Sequence, residues 1–250
     1  MKLIHFLYNR KECWGALEGS FIRPLKDEPF KGIKLFSRKI PLNGVKFLPP
    51  AKATKIILIG LNYKDHAREL NMNIPGEPLI FLKPTTALIG HKGAIIYPAG
   101  VTQLDYEGEL AMVLKKQCKN IKPRDFSKYI LGYTCLNDVT ARDLQRKDIQ
   151  WTRAKSFDSF CPVGPYLETQ VNPQNLNIRS YLNGQLRQNS QTSQFIFKPE
   201  HLLSFVSRIM TLYPGDIIST GTPFGVGSMK KGDKIEIEIE GIGRLINYVK

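Results

Sequence analysis

The stretch Asp105-Tyr-Glu-Gly-Glu-Leu-Ala-Met-Val-Leu114 constrains this chain more than any other. Successive side chains of a β-strand point to opposite faces. Read as a strand, it puts Tyr106, Gly108, Leu110, Met112 and Leu114 on one face. Glu107, Glu109, Ala111 and Val113 fall on the other. Two carboxylates therefore stand side by side and then give way to small apolar residues. Like charges that close repel, and partial burial worsens the repulsion. Either a bound cation relieves them or the strand end is solvated. Glu-x-Glu occurs in many exposed strands, so the motif alone leaves both readings open.

The chain has 250 residues, enough for one large domain or for a small one beside a medium one. Its four cysteines, Cys13, Cys118, Cys135 and Cys161, form no Cys-x-x-Cys pair, which argues against a zinc ribbon or a redox motif. Reduced thiols in a cytoplasm are expected. No apolar run approaches membrane length, and Met1 to Tyr8 lacks the features of a signal peptide, so no membrane partner is expected. The net charge is +14. That suits nucleic acid, an anionic membrane surface or small anionic substrates. The lysines are spread along the chain, without an RNP-like or helix-turn-helix motif. A field that draws in small dianions is at least as good a reading, and no nucleic-acid partner is expected.

Residues 1–50 read as a small N-terminal β domain. It has a strand over Lys2 to Tyr8, a hairpin around Glu18-Gly19 and a boundary near Pro50. Residues 51–250 form the second unit. Ile56 to Ile59 is a buried strand ending at Gly60. A short helix follows, with Asp65 as a candidate cap. On it His66 and Glu69 are three apart and share a face. They are either a base and its orienter or a surface ion pair. The segment after them, Asn71 to Pro78, reads as a mobile lid. Leu79 to Leu82 is a strand, and His91 sits in a turn. Tyr129 to Leu136 is a further strand, and Asp138 lies where it yields to a helix. Asp138 is either a third oxygen ligand or a helix N-cap.

Further on, Lys155 is placed either semi-buried, to meet a substrate carboxylate, or at the surface. Asn183-Gly184 turns a hairpin. Pro199 to Met210 follows the helical period, with His201 facing solvent. Gly221-Thr-Pro-Phe-Gly-Val-Gly227 lacks the Gly-Lys-Ser/Thr of a P-loop, yet Gly221 and Thr222 can offer N–H groups and a hydroxyl to an anion. Ile235 to Glu240 alternates as a strand with a wet acidic face.

Eight ordered blocks together resemble the fumarylacetoacetate hydrolase family: Gly60-Leu-Asn-Tyr-Lys-Asp-His66, Phe81-Leu-Lys-Pro84, Tyr106-Glu-Gly-Glu-Leu110, Asn137 to Gln145, Ala154-Lys-Ser-Phe157, Cys161-Pro-Val163, Asn183-Gly184 and Gly221 to Gly227. The likeness runs from about residue 53 to the end. It is strongest to the acylpyruvase and oxaloacetate decarboxylase members. The resemblance implies an α+β, mainly β fold of layered mixed β-sheets with few short helices, and a homodimer. It implies Glu107, Glu109 and Asp138 as ligands of Mg²⁺ or Mn²⁺, and His66 with Glu69 as a lid dyad. It implies Lys155, Gln145 and Thr222 as substrate contacts supported by Arg142. One departure is Leu61, where acylpyruvase-type members often carry Arg.

The expected activity is metal-dependent cleavage of a C–C bond in a small 2-oxo acid, by hydrolysis or decarboxylation. A dienedioate isomerase or keto–enol tautomerase would use the same residues. The competing class is a non-catalytic basic protein that binds nucleic acid.

Overall fold

The computed structural model describes all residues from Met1 to Lys250. It is mainly β, as the resemblance implied, with two mixed sheets, one small antiparallel sheet and four short α-helices. These are α1 (Lys64–Glu69), α2 (Arg142–Lys147), α3 (Thr152–Lys155) and α4 (Pro199–Ile209). α4 buries Leu202, Leu203 and Val206 and leaves His201 exposed, as its period predicts.

The largest sheet has 12 strands. Lys2–Tyr8 lies antiparallel to Cys161–Glu168, which is followed across the sheet by Ile130–Asn137, Gly108–Leu114, Ile217–Ser219, Ile56–Ile59 and Ile80–Lys83. The N-terminal strands thus continue the sheet of the second unit, with Leu3 opposite Leu167. Leu3, Trp14 and Ala16 share a core cluster with Ile56, Leu58 and Val113. The boundary near Pro50 divides the sequence, while the sheet and its core run across it.

Gly108–Leu114 is central in this sheet and wholly buried. Its alternation is the predicted one. Leu110, Met112 and Leu114 enter the larger core with Tyr106, and Ala111 and Val113 enter the other. The ladder breaks at Glu107. Leu104–Tyr106 leaves to pair with Thr140–Ala141 and Gly227–Met229. The two glutamates therefore sit at a junction between sheets rather than at a wet end.

Several local expectations are corrected. Asp65 is the second residue of α1 rather than its cap; its carboxylate accepts from the His66 N–H and the Ser190 hydroxyl. Asp138 does not cap a helix either, because the chain adds Thr140–Ala141 before α2 begins at Arg142. The acidic face of Lys234–Ile239 is only partly wet: Glu236 is buried and paired with Lys234 at 2.6 Å and Arg244 at 3.1 Å. All four cysteines are free thiols, and no helix is long and apolar enough to cross a membrane.

Candidate active site

Glu107, Glu109 and Asp138 meet where the large sheet adjoins the three-stranded one. One oxygen from each lies within 4.8 Å of the others, and all three residues are buried. Backbone bonds hold them there. The Glu107 N–H donates to Asn137 Oδ1 at 2.9 Å, and the Asp138 N–H donates to the Glu107 carbonyl at 2.8 Å. Glu109 accepts at Oε2 from the Ser219 hydroxyl and from the Gly221 N–H. Both donors use one oxygen, which leaves Oε1 for a ligand. Gly221 has φ +87°, and a Cβ there would meet Asn62 Cβ and the Gly60 carbonyl at 3.0 Å. Glycine lets the turn aim its N–H at Glu109. The anion that Gly221 serves is thus a protein carboxylate, and its N–H is not presented to a substrate.

Cations surround the triad. Lys155 Nζ donates to Asp138 Oδ2 at 2.5 Å and to Glu107 Oε2 at 3.0 Å. Arg142 bonds Asp105 at 2.9 Å and also reaches Glu107 and Gln145. Lys155 is therefore fully buried, deeper than either predicted placement, with its ammonium on protein carboxylates. Lys83, given no role by sequence reasoning, is buried too. Its Nζ lies 2.7 Å from Asp138 Oδ1, but it directs its bonds at the carbonyls of Val139 at 2.8 Å and Phe160 at 2.7 Å. Asp138 Oδ1 is left buried with no aligned donor.

These neighbours split the two glutamates. Burial alone would raise the Glu107 carboxyl; Lys155 and Arg142 outweigh burial and hold it below the usual carboxylate range. Burial raises the Glu109 carboxyl well above that range, and the charges of Asp138 and Glu107 add to the rise. Burial lowers the Lys155 ammonium, but Asp138 and Glu107 more than compensate and keep it raised. A Glu109 oxygen without a donor and three crowded, buried carboxylates fit a hard divalent cation with oxygen ligands, Mg²⁺ or Mn²⁺.

The triad floors a cavity of about 350 Å³. Lys155, Arg142, Gln145 and Thr222 line it, and so does His66 at the mouth. Thr222 is fixed at 3.0 Å to the Gly108 carbonyl and at 2.9 Å to Gln188 Nε2. His66 Nδ1 lies 2.8 Å from Glu69 Oε2, and Glu69 Oε1 accepts from the Gly225 N–H at 3.0 Å. Glu69 is exposed and lies outside the cavity wall. The apolar side of the wall includes Leu61, Leu70, Met72 and Phe81.

Besides Lys83, sequence reasoning missed Gln188, which links Gly108 N–H at 3.0 Å to the Thr222 loop, and Asp105, the anchor of Arg142. Lys83 carried a faint signal: a charge ending an apolar strand before Pro84. Ser219 and Gln188 carried none, because their partners lie 110 and 80 residues away.

The model of the fumarylacetoacetate (FAA) hydrolase C-terminal family matches residues 55–250, and the Rv2993c-like N-terminal model matches residues 1–50. The chain is 44% identical over 222 residues to oxaloacetate tautomerase Fahd2a, mitochondrial, of Rattus norvegicus, covering 84% of this chain and 71% of the relative. It superposes on the crystal structure of 5-carboxymethyl-2-hydroxymuconate delta-isomerase from Mycobacterium smegmatis with a TM-score of 0.94 and 41% identity, covering 100% and 99% of the two chains. It superposes on maleylpyruvate hydrolase of Sphingobium sp. SYK-6, in complex with manganese (II) ion and pyruvate, with a TM-score of 0.85 and 30% identity, covering 100% and 98%.

Proposed function

The chain belongs to the fumarylacetoacetate hydrolase family, and on that premise we propose that it is a divalent-metal-dependent enzyme that moves a proton beside the keto group of a small 2-oxo acid. The observation that carries this reading is the cavity itself: a floor of three converging buried carboxylates, and a His66–Glu69 pair at the mouth. Glu107, Glu109 and Asp138 would hold Mg²⁺ or Mn²⁺, which when bound supplies a Lewis acid for negative charge on the keto oxygen. The manganese in the maleylpyruvate hydrolase structure supports that choice of ion.

The chain's own groups do the rest. Glu69 accepts the Nδ1 proton of His66, which leaves Nε2 as the basic edge at the cavity. His66 takes the proton from the carbon next to the keto group, or from the enol oxygen in the reverse sense, and returns it at the other atom. Glu69 stabilises the imidazolium formed in between. Lys155 supplies a fixed ammonium at the floor for charge that develops on oxygen. Gln145 and Thr222 orient the acid. Leu61, Leu70, Met72 and Phe81 keep bulk water from the reacting carbon.

The tautomerase name of the rat relative favours keto–enol exchange. C–C bond cleavage of an acylpyruvate is the second reading, favoured by the hydrolase neighbour that holds pyruvate. There His66 would deprotonate a water instead. A homodimer belongs to the same proposal; it would cover exposed Leu82 and Ile149, and sedimentation velocity tests it. The functional test is a panel of oxaloacetate, acetylpyruvate, fumarylpyruvate and a 2-hydroxy-dienedioate with Mn²⁺ or Mg²⁺. Enol absorbance decaying faster than in buffer, with no pyruvate or CO₂ released, supports tautomerisation. Pyruvate plus a second acid supports hydrolysis. Inertness toward all four contradicts both.

A further inference from the structure

The cavity floor accounts for the keto-acid end of a substrate; the wall decides what the other end carries. Three long cationic side chains line the cavity, Lys155, Arg142 and Arg146. Lys155 is engaged by Glu107 and Asp138. Arg142 is engaged by Asp105 and Glu107. Arg146 forms no such pair. Its one side-chain hydrogen bond runs from Nη1 to the neutral amide oxygen Gln103 Oε1 at 3.0 Å. It stands one turn beyond Arg142 on the same face of α2, roughly 6 Å further along the axis. His66, Gln145 and Thr222 are already given to the keto-acid end, and the wall otherwise includes Leu61, Leu70, Met72 and Leu79. None of these can serve a second charge. Arg146 therefore holds the cavity's one uncommitted cation, away from the triad, with a planar fork suited to a carboxylate.

We propose that Arg146 reads a second carboxylate at the far end of the substrate, so that this site takes 2-oxo dicarboxylic acids in preference to acylpyruvates with a neutral tail. The bland alternative is a solvated arginine on an exposed helix turn. The proposal rests on the 2-oxo acid reading above, and its test separates the two.

The test compares oxaloacetate with its 4-methyl ester, which keeps the keto-acid end and loses the distal charge. Both are assayed with Mn²⁺-loaded wild type and Arg146→Gln. Glutamine is a good helix former, so α2 is preserved, and a thermal melt checks it. Arg146→Gln is expected to raise KM for the diacid roughly tenfold with kcat held within about twofold, and to move KM for the ester less than about twofold, the gap expected for one charge-assisted contact. A KM change equal in both compounds, or none in either, overturns the proposal. If the wild type turns over neither compound, the catalytic reading fails on its own, and calorimetric Kd values for the same four pairings carry the test. A wild type that binds the diacid about ten times tighter than the ester, with the preference lost in Arg146→Gln, sustains it. Equal affinities overturn it.

Discussion

Two buried acidic sites in this molecule look alike in composition and differ in completeness. Asp216 has no solvent exposure, yet each of its oxygens is fully served. Oδ1 accepts from the Thr54 N–H at 2.8 Å, the Thr54 hydroxyl at 2.7 Å and the Lys55 N–H at 3.1 Å. Oδ2 accepts from Lys55 Nζ at 2.6 Å and the Tyr213 N–H at 2.8 Å. Burial would raise its carboxyl, but Lys55 and these N–H groups hold it below the ordinary range. The triad of Glu107, Glu109 and Asp138 is as dry and stays incomplete. Both donors to Glu109 use Oε2, the Lys83 ammonium 2.7 Å from Asp138 Oδ1 is turned to two carbonyls, and Glu109 is pushed toward its neutral form. A finished shell ties strands together. An unfinished one suits a cation, because carboxylates crowded together in a buried site repel one another.

The sharpest way to break this contrast is to neutralise one acid on each side. Glu109→Gln should cut metal-dependent turnover by about 10³-fold or more. It should leave the metal-free Tm unchanged or slightly higher, because the amide oxygen can still accept from Ser219 and Gly221. Asp216→Asn should do the reverse. It should lower stability by about 2–3 kcal/mol, the worth of hydrogen bonds to a charged group, and leave kcat of the folded enzyme unchanged. Denaturant melts and steady-state assays on both variants read these outcomes. A loss of turnover in Asp216→Asn greater than its loss of fold would erase the distinction.

His66→Ala removes the proton carrier without touching the triad. Turnover should fall by about 10²-fold or more, with Mn²⁺ affinity unchanged. An equal fall in affinity would place His66 among the ligands instead.

The smallest effect is on pH dependence in metal-free protein, where the two sites pull in opposite directions. Glu109 keeps its proton in the folded state after the unfolded chain has released it near the ordinary value of 4.5. Its burial therefore lowers stability as pH rises from there toward its raised folded value, by up to about 1.4 kcal/mol per pH unit. Asp216 contributes stability above its ordinary value of 3.8, and that contribution fades as pH falls through its lower folded value. Melts across pH should show Glu109→Gln flattening the decline on the alkaline side of 4.5, and Asp216→Asn flattening the loss in acid.

Much of the candidate site was legible because it obeys short-range rules. Alternation places Glu107 and Glu109 on one face; the structure keeps it from Gly108 to Leu114 and brings Glu107 to the same site across a break in the ladder. His66 and Glu69 pair because three residues is nearly one helical turn. The strand edges shifted by a residue or so, as at Ile80–Lys83, without moving the site. What failed were readings of local capping. Asp65 and Asp138 both looked like caps because each precedes a helix, but long-range partners claimed both side chains, Ser190 for one and Lys83 with Lys155 for the other. The commitments of Arg142 and Gly221 to protein carboxylates were equally hidden. They depend on which strands become neighbours, and that is set by the packed sheets rather than by any local pattern.

The central claim is that Glu107, Glu109 and Asp138 together hold one divalent ion. Calorimetric titration of wild type and Glu109→Gln with Mn²⁺ alone tests it most directly. One ion per chain in the wild type, bound at least about 100-fold more weakly by Glu109→Gln, is the predicted result. No binding by the wild type, or equal binding by the two proteins, would contradict it.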